Sequence, residues 1–531
     1  MRLRTEMTAD EAIDQLADTA TCIGCHQDVG HNWMASAHAN ASFGNPWYRT
    51  SIDRFRAATS NQSSRFCAGC HDPLLLIDHA IDNAVEGSST REVAGITCLV
   101  CHSAAEANTS GNASYVLDVR PFAPPDPAIA SEVDAHRRAM KPPPVQNGSL
   151  CGSCHRSFVN EAIGVPFAVH GIDDLGGWLE SPITHKVADL RALDPEWKPA
   201  VEEERCQRCH MERVDAPFGD MAASDGWIAS HRVAASHRPM ADATKNKTQK
   251  RFVEDSLKDA ITVSVHGVNT EKIGKRTAVS FDVMMFNRSV AHSFPSGTKD
   301  LQDTWLEVRV LDKEGRVLLS SGTTRDGSLD PTSYRLGTIM LDEKNMPIDT
   351  HDVSSFRHRG VDTTLPSGAS RVVRFSGEIA RRNVLGLRIQ ATVWHRKHPK
   401  AFQQLVCKNE YSARAKKFRA FTKELGRRVI DGCVKSSKYM VAKTKWSSTD
   451  VGNASDEAIQ KWRYGLALAY GLQERLDEAM DVLLETLSDA IASRDRSAQG
   501  RSYAALAYVY ARANRIDDAE QHRARAREAL G

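Results

Sequence analysis

Cys22-Ile-Gly-Cys25-His26 opens a stretch in which one pattern, C-x-x-C-H, occurs five times. The other copies are Cys67-Ala-Gly-Cys70-His71, Cys98-Leu-Val-Cys101-His102, Cys151-Gly-Ser-Cys154-His155 and Cys206-Gln-Arg-Cys209-His210. Two thiols on one short turn can bond a macrocycle covalently, and the histidine that follows reaches back to its iron as the proximal ligand. A zinc site needs two cysteine pairs, or a pair with distant histidines, and does not require a histidine after every second cysteine. A disulfide framework would not confine ten cysteines to one spacing. The expected cofactor is therefore five covalently bound haem c groups, with His26, His71, His102, His155 and His210 as proximal ligands.

With 531 residues the chain should divide into two to four domains, because single cores rarely grow beyond ~250–300 residues. Its hydrophobic content of 41% is slightly low, as expected where porphyrins supply part of the core. The formal charge of +2 gives no bulk field that would argue for nucleic acid or a membrane surface. No apolar run is long enough to span a bilayer, and the start, Met1-Arg2-Leu3-Arg4-Thr5-Glu6, lacks a signal-peptide core. Haem c is normally attached outside the cytoplasm, so the expectation is an exported protein, periplasmic or extracellular, whose leader is not in this sequence.

Residues 1–20 read as a helix, with Thr8 as N-cap and Glu11 closing a capping box. After His26 comes Trp33-Met-Ala-Ser36-Ala-His38, expected on a short helix. C-x-x-C-H followed by W-x-x-S-x-H resembles the opening of multihaem cytochromes related to cytochrome c554. Cys70-His71-Asp72-Pro73, Gly95-Ile96-Thr97-Cys98 and Cys209-His210-Met211 resemble further attachment phrases of that family. The resemblance extends over roughly residues 20–310, and it implies that His38 is the distal ligand of a haem. The family holds both carriers and enzymes.

Between the third and fourth motifs, Pro121 to Pro144 carries seven of the twenty prolines and should run as a stiff wrap over haems, interrupted by a helical island holding His136. From about residue 250 the period becomes two. Val279, Phe281, Val283 and Met285 form one apolar row; Leu306, Val308 and Val310 form a second, before a turn at Asp312–Gly315; Leu387, Ile389, Ala391 and Val393 form a third. Several such strands predict an antiparallel β-sandwich. Its loop Asn287-Arg-Ser-Val-Ala-His292-Ser-Phe-Pro295-Ser-Gly297 resembles a phrase that follows the haem region in such cytochromes. There the histidine reaches back to a haem; Ala291 and Ser296 replace the usual Gly and Thr.

Between Lys408 and Lys445 there are twelve Lys or Arg against three acids. Such a run reads first as a solvated helical face and second as a docking patch. Cys407 and Cys433, the two cysteines outside the motifs, are expected to pair in an oxidising compartment. Near the end, Tyr470–Ala479 aligns with Tyr510–Ala519 at an offset of 40, which resembles tetratricopeptide units with extra residues in a loop near Ser488–Gln499. Two units offer little concave surface, so a lid that completes the fold is favoured over a partner-binding groove.

The predicted class is thus multidomain: a haem-packed, mainly α and irregular pentahaem domain over 1–245, an antiparallel β-sandwich over 250–405, a basic linker or helical segment over 406–455, and TPR-like helical hairpins over 456–531. The distal candidates are His38, His292, His136 and His231, with His170, His79, His185 and His237 left open for a fifth place. Two strong ligands on each iron would make a chain of closely packed haems that passes electrons between a donor and an acceptor protein. An open position on one would instead suit an oxidoreductase acting on a small nitrogen or sulfur compound. No motif ends in lysine, unlike the catalytic motif of ammonia-forming nitrite reductases, and Tyr48 and Tyr115 are the only tyrosines of residues 1–245.

Overall fold

The alternating rows from residue 262 onward build two facing sheets. The computed structural model describes residues 1–166, 168–182, 190–196, 206–380, 386–448, 454–470 and 474–531. One sheet has three antiparallel strands in the order Ser370–Ala380, Arg276–Phe286, Thr262–Ile273. The other runs Val317–Ser321, Asp303–Leu311, Arg388–Arg396, Tyr439–Ser447, with Tyr334–Leu336 also paired to Asp303–Leu311. Val279, Phe281, Val283 and Met285 from one sheet meet Leu306, Val308, Val310, Ile389, Ala391 and Val393 from the other in a single buried cluster. A period of two puts every second side chain on the same face, so these rows could face only one another.

Segment 406–455, expected as a basic linker, is a strap and then a strand. Helices Lys400–Asn409 and Ala413–Glu424 cross back over the N-terminal region, and Tyr439–Ser447 then joins the sheet beside Arg388–Arg396. Several of its cations are used internally. Arg414 donates to the carbonyl of Val85 at 2.6 Å and pairs with Asp53, Arg427 donates to the carbonyl of Val93, and Arg419 pairs with Glu410, which also holds the buried Arg49. Lys408, Lys416, Lys423, Lys435, Lys443 and Lys445 remain exposed, as a solvated face requires. Cys407 and Cys433 form a disulfide that clips the strap, with a sequence separation of 26. Replacing both by serine is expected to lower stability by about 3.5 kcal/mol through the released chain entropy, which thermal unfolding of the haem-loaded protein would register.

Helices Ala454–Tyr470, Leu476–Ala492, Arg496–Arg512 and Ile516–Leu530 form two antiparallel hairpins. The extra residues of the 40-residue offset lie in the helices themselves, because only three residues separate Ala492 from Arg496. Residues 471–473 of the first aligned stretch lie outside the described residues. The hairpins bury Met284 and pack on Val372, on the outer face of the three-stranded sheet. Asp282 on that face is fully buried and accepts bonds from Tyr464 at 2.6 Å, Arg475 at 2.9 Å and Arg374 at 3.0 Å. This is why Arg276–Phe286 is covered on both faces, although only one of its faces carries the apolar row.

The N-terminal region has no comparable single core. Its apolar residues fall into small clusters, one around Leu16, Leu74, Leu99 and Leu117 and another around Phe43, Ile52 and Leu75. Side chains divided in this way leave space for bulky apolar groups among them. The helix at the start is shorter than expected, Ala9–Ala17, with the Thr8–Glu11 capping box present. Arg2–Thr5 is a strand paired in parallel with Tyr115–Val119. No helix among the described residues is long and apolar enough to cross a membrane.

Candidate functional site

Each C-x-x-C-H occupies one turn of helix or its end, as in Arg65–His71, Cys98–His102 and Cys206–His210. That turn brings both thiols to one side. None of the ten motif cysteines is joined to another in a disulfide, and among the described residues no group of three or more His, Cys, Asp or Glu is arranged to hold a metal ion. The disulfide and zinc readings therefore find no support in the geometry.

The five motif histidines share a feature that spacing alone does not reveal. Nδ1 of every one is engaged: His26 with Asp220 at 2.9 Å, His71 with the Ala41 carbonyl at 2.9 Å, His102 with the Met140 carbonyl at 2.5 Å, His155 with Asp174 at 3.3 Å and His210 with the Ala234 carbonyl at 3.3 Å. An occupied Nδ1 fixes the ring and leaves Nε2 for a metal. His231 and His292 are held likewise, by the carbonyls of Ala229 and Ser293.

Four motif histidines face a second ring. The centres of His26 and His136 are 6.1 Å apart, those of His38 and His155 6.4 Å, of His102 and His231 6.4 Å, and of His210 and His292 6.2 Å. A metal–imidazole bond is about 2 Å and the bonded nitrogen lies about 1.1 Å from its ring centre, so two rings on one iron have centres roughly 6.2 Å apart. The residues therefore fit iron between each pair. Burial, with neighbouring histidines, pushes His38, His210 and His231 down to about 4, which keeps them in the neutral form that binds metal.

Local structure explains how His38 is placed. Helix Gln27–Met34 ends before it, so His38 sits in the following turns and not on the helix. Trp33 Nε1 donates to the Ile96 carbonyl at 2.8 Å, and the Ile96 N–H donates to the His38 carbonyl at 2.9 Å. Gly95, at φ +67°, allows this approach, since a Cβ there would lie 2.6 Å from that carbonyl oxygen. His292 is set by Asn287, which is fully buried and donates to the carbonyls of His292 and Leu365. The same loop donates the Gly297 N–H to Asp174, the partner of His155.

His71 stands apart. Among the described residues no histidine ring faces it at the spacing of the other four. The Tyr48 ring lies parallel to it at 4.3 Å, with the hydroxyl donating to Asp72 at 2.5 Å. Of the residues left open for a fifth ligand, His79 and His170 are exposed, His237 is half-buried near Lys397 and His395 without its ring paired to that of His71, and His185 lies outside the described residues.

The motifs are also neighbours in space. The Cys22 thiol interacts with that of Cys98, Cys70 with Cys154, and Cys151 with Cys206, and Cys101 feels the charge of Cys154.

Comparison with known proteins agrees with this geometry. The family model described as cytochrome c554 and c-prime matches residues 21–103, which span the first three motifs. The penta-heme cytochrome c552 from Thermochromatium tepidum is similar in structure, with a TM-score of 0.50 and 16% identity over 81% of this chain and 98% of that chain. The fold is that of a multihaem c-type cytochrome. No curated protein matches the chain. The family match is shorter than the roughly 20–310 over which the sequence resembles such cytochromes.

With haem bound, the potentials should depend on the partners of the ligand histidines. A carboxylate on Nδ1 makes an imidazole a stronger donor and favours ferric iron. Replacing Asp220 with Asn is expected to raise the midpoint potential at the His26 site by about 60–120 mV, since losing such a partner changes ligand strength about 10- to 100-fold and tenfold is ~59 mV for one electron. Spectroelectrochemical titration of the haem-loaded protein checks it.

Proposed function

We propose that this chain is an exported pentahaem c-type cytochrome that carries single electrons between a donor and an acceptor protein in the periplasm or outside the cell. The observation that supports it is the set of four ring pairs at 6.1–6.4 Å. Haem, when bound, supplies one-electron chemistry over a wide range of potentials. His26, His71, His102, His155 and His210 hold it from one side; His136, His231, His38 and His292 close four of the sites. The contacts between motif thiols support an order in which the first site adjoins the third, the third the fourth, and the fourth both the second and the fifth. The Cys407–Cys433 disulfide fits an oxidising compartment.

A second reading is favoured by one observation: among the described residues no histidine ring faces His71 at the spacing of the other four pairs. On it, the four paired sites feed electrons to or from a small nitrogen or sulfur compound at the His71 haem. Electron paramagnetic resonance of the oxidised protein, with carbon monoxide added to the reduced form, separates the two. Five low-spin haems that ignore carbon monoxide support transfer alone. One high-spin haem that binds it supports the second reading. More than one would overturn the ligand pairs proposed above.

A further inference from the structure

The inward row of strand Arg388–Arg396 does not stop at the end of the sandwich core. Ile389, Ala391 and Val393 are buried among apolar side chains, and the next residues of that parity are His395 and Lys397. Both are buried, at 1% and 7% exposure, with His398 at 6%. They come out of the sheet at the haem layer and meet His237 there: His237 feels the charges of Lys397, His395, His38 and His155. His398 feels Lys397, His237 and His351, and His351 in turn acts on His71.

The polar atoms of this group are short of partners. Nδ1 of His237, Nε2 of His395 and Nδ1 of His398 are buried without a hydrogen bond. Among the described residues no carboxylate is within ion-pair distance of Lys397. Arg396 beside it is not available, because Asp303 holds it at 3.1 Å. The two acids that act on Lys397 are also engaged: Asp174 with His155 and the Gly297 N–H, Asp300 with Nδ1 of His351 at 2.6 Å. Unpaired buried polar groups are costly, and three such ring nitrogens beside an ammonium with no carboxylate partner point to a ligand that pairs them. The rings cannot turn aside to find other partners. His398 is stacked on Trp47 at 4.8 Å and packed on Phe402; His395 donates or accepts at Thr304 Oγ1, 2.7 Å away, and lies against Tyr439.

We propose that Lys397, His237, His395 and His398 form a binding site for a small oxyanion of the size of nitrite or sulfite beside the His71 haem. The proposal rests on the second reading above, in which that haem lacks a second histidine. An ammonium with no carboxylate partner selects a negative charge, and three imidazoles with a free ring nitrogen supply hydrogen bonds to several oxygens of a compact anion. Burial pushes Lys397 down to about 8, against the pull of Asp174 and Asp300, so it is cationic at neutral pH. Anion affinity is then present below about pH 8 and lost above it.

The test is a nitrite titration of the oxidised, haem-loaded protein followed by its optical and spin-resonance spectra, in the wild type, Lys397→Met and Lys397→Arg. Carbon monoxide binding to the reduced protein and haem midpoint potentials are measured alongside. The expected result is a nitrite-dependent spectral change that weakens as pH rises through about 8, weakens by roughly 30-fold or more in Lys397→Met and is largely kept in Lys397→Arg, while carbon monoxide, an uncharged ligand, binds all three alike. Carbon monoxide binding to no haem overturns the second reading and the site with it. Carbon monoxide binding without a nitrite response, or with a response that Lys397→Met leaves unchanged, overturns the oxyanion site alone. A shifted haem potential in Lys397→Met at unchanged nitrite affinity would show that the lysine faces a haem propionate instead, and also overturns it. Should Lys397→Met not fold, the pH dependence of the wild type still decides.

Discussion

Replacing His292 with methionine is expected to raise the midpoint potential of the haem attached at Cys206 and Cys209 by about 0.2 V, within the ~0.8 V that axial ligation spans. Imidazole is the stronger donor and favours ferric iron, whereas a thioether favours the ferrous state. The His292 ring lies 6.2 Å from that of His210, centre to centre and nearly parallel to it. Its loop does not depend on the side chain. Asn287 pins the backbone through the carbonyls of His292 and Leu365, and Gly297 is tied to Asp174. The substitution therefore changes the ligand and not the loop. Potentiometric titration followed optically would show one of the haems moving up while the others stay. No movement at all would remove His292 from the ligand set.

Arg463→Met is expected to destabilise the junction of the C-terminal hairpins by about 3–5 kcal/mol, the usual cost of leaving a buried charge without its partner. Arg463 is buried and donates to Asp194 at 2.6 and 2.8 Å and to Glu196 at 2.9 Å, with its guanidinium 4.0 Å from the centre of the Phe286 ring. Removing it strands Asp194, itself 4% exposed. Differential scanning calorimetry should show the hairpins unfolding early while haem absorbance is unaffected. Arg463→Met together with Asp194→Leu should recover part of the loss, because the stranded charge is then gone. An unchanged melting profile in the single variant would mean that the pair contributes nothing net. The same contact bears on the hairpins' role. Their inner face is spent on Met284, Val372 and Asp282, which agrees with a lid that completes the fold.

How far the chain could be read from its sequence follows the range of each interaction. The five attachment motifs could be named from the sequence because a thiol pair and the next histidine act within one helical turn, so five residues carry the whole chemistry. The sandwich core was legible because a period of two assigns faces without knowledge of the partner strand. His38, His136, His231 and His292 could be named as ligand candidates, but which proximal histidine each would face could not. His38 follows His26 by twelve residues and yet lies opposite His155, while His26 meets His136. Those encounters depend on chain closures over many residues, which no local pattern encodes. The basic stretch was legible as a solvated face but not in its internal contacts, since Lys416, Lys423 and Lys435 are exposed while Arg414 and Arg427 turn inward. Its cations find carbonyls and acids more than 300 positions away, as Arg414 does at Val85 and Asp53. Lys397 and His398 passed unnoticed in Trp394-His-Arg-Lys-His398, a polar end to an apolar strand row. The sequence by itself determined the covalent cofactor chemistry and the faces of the strands. Only the tertiary structure decided which rings face one another, which motif histidine has no facing ring among the described residues and which charges are buried near it, because each of these is a distance between residues far apart along the chain.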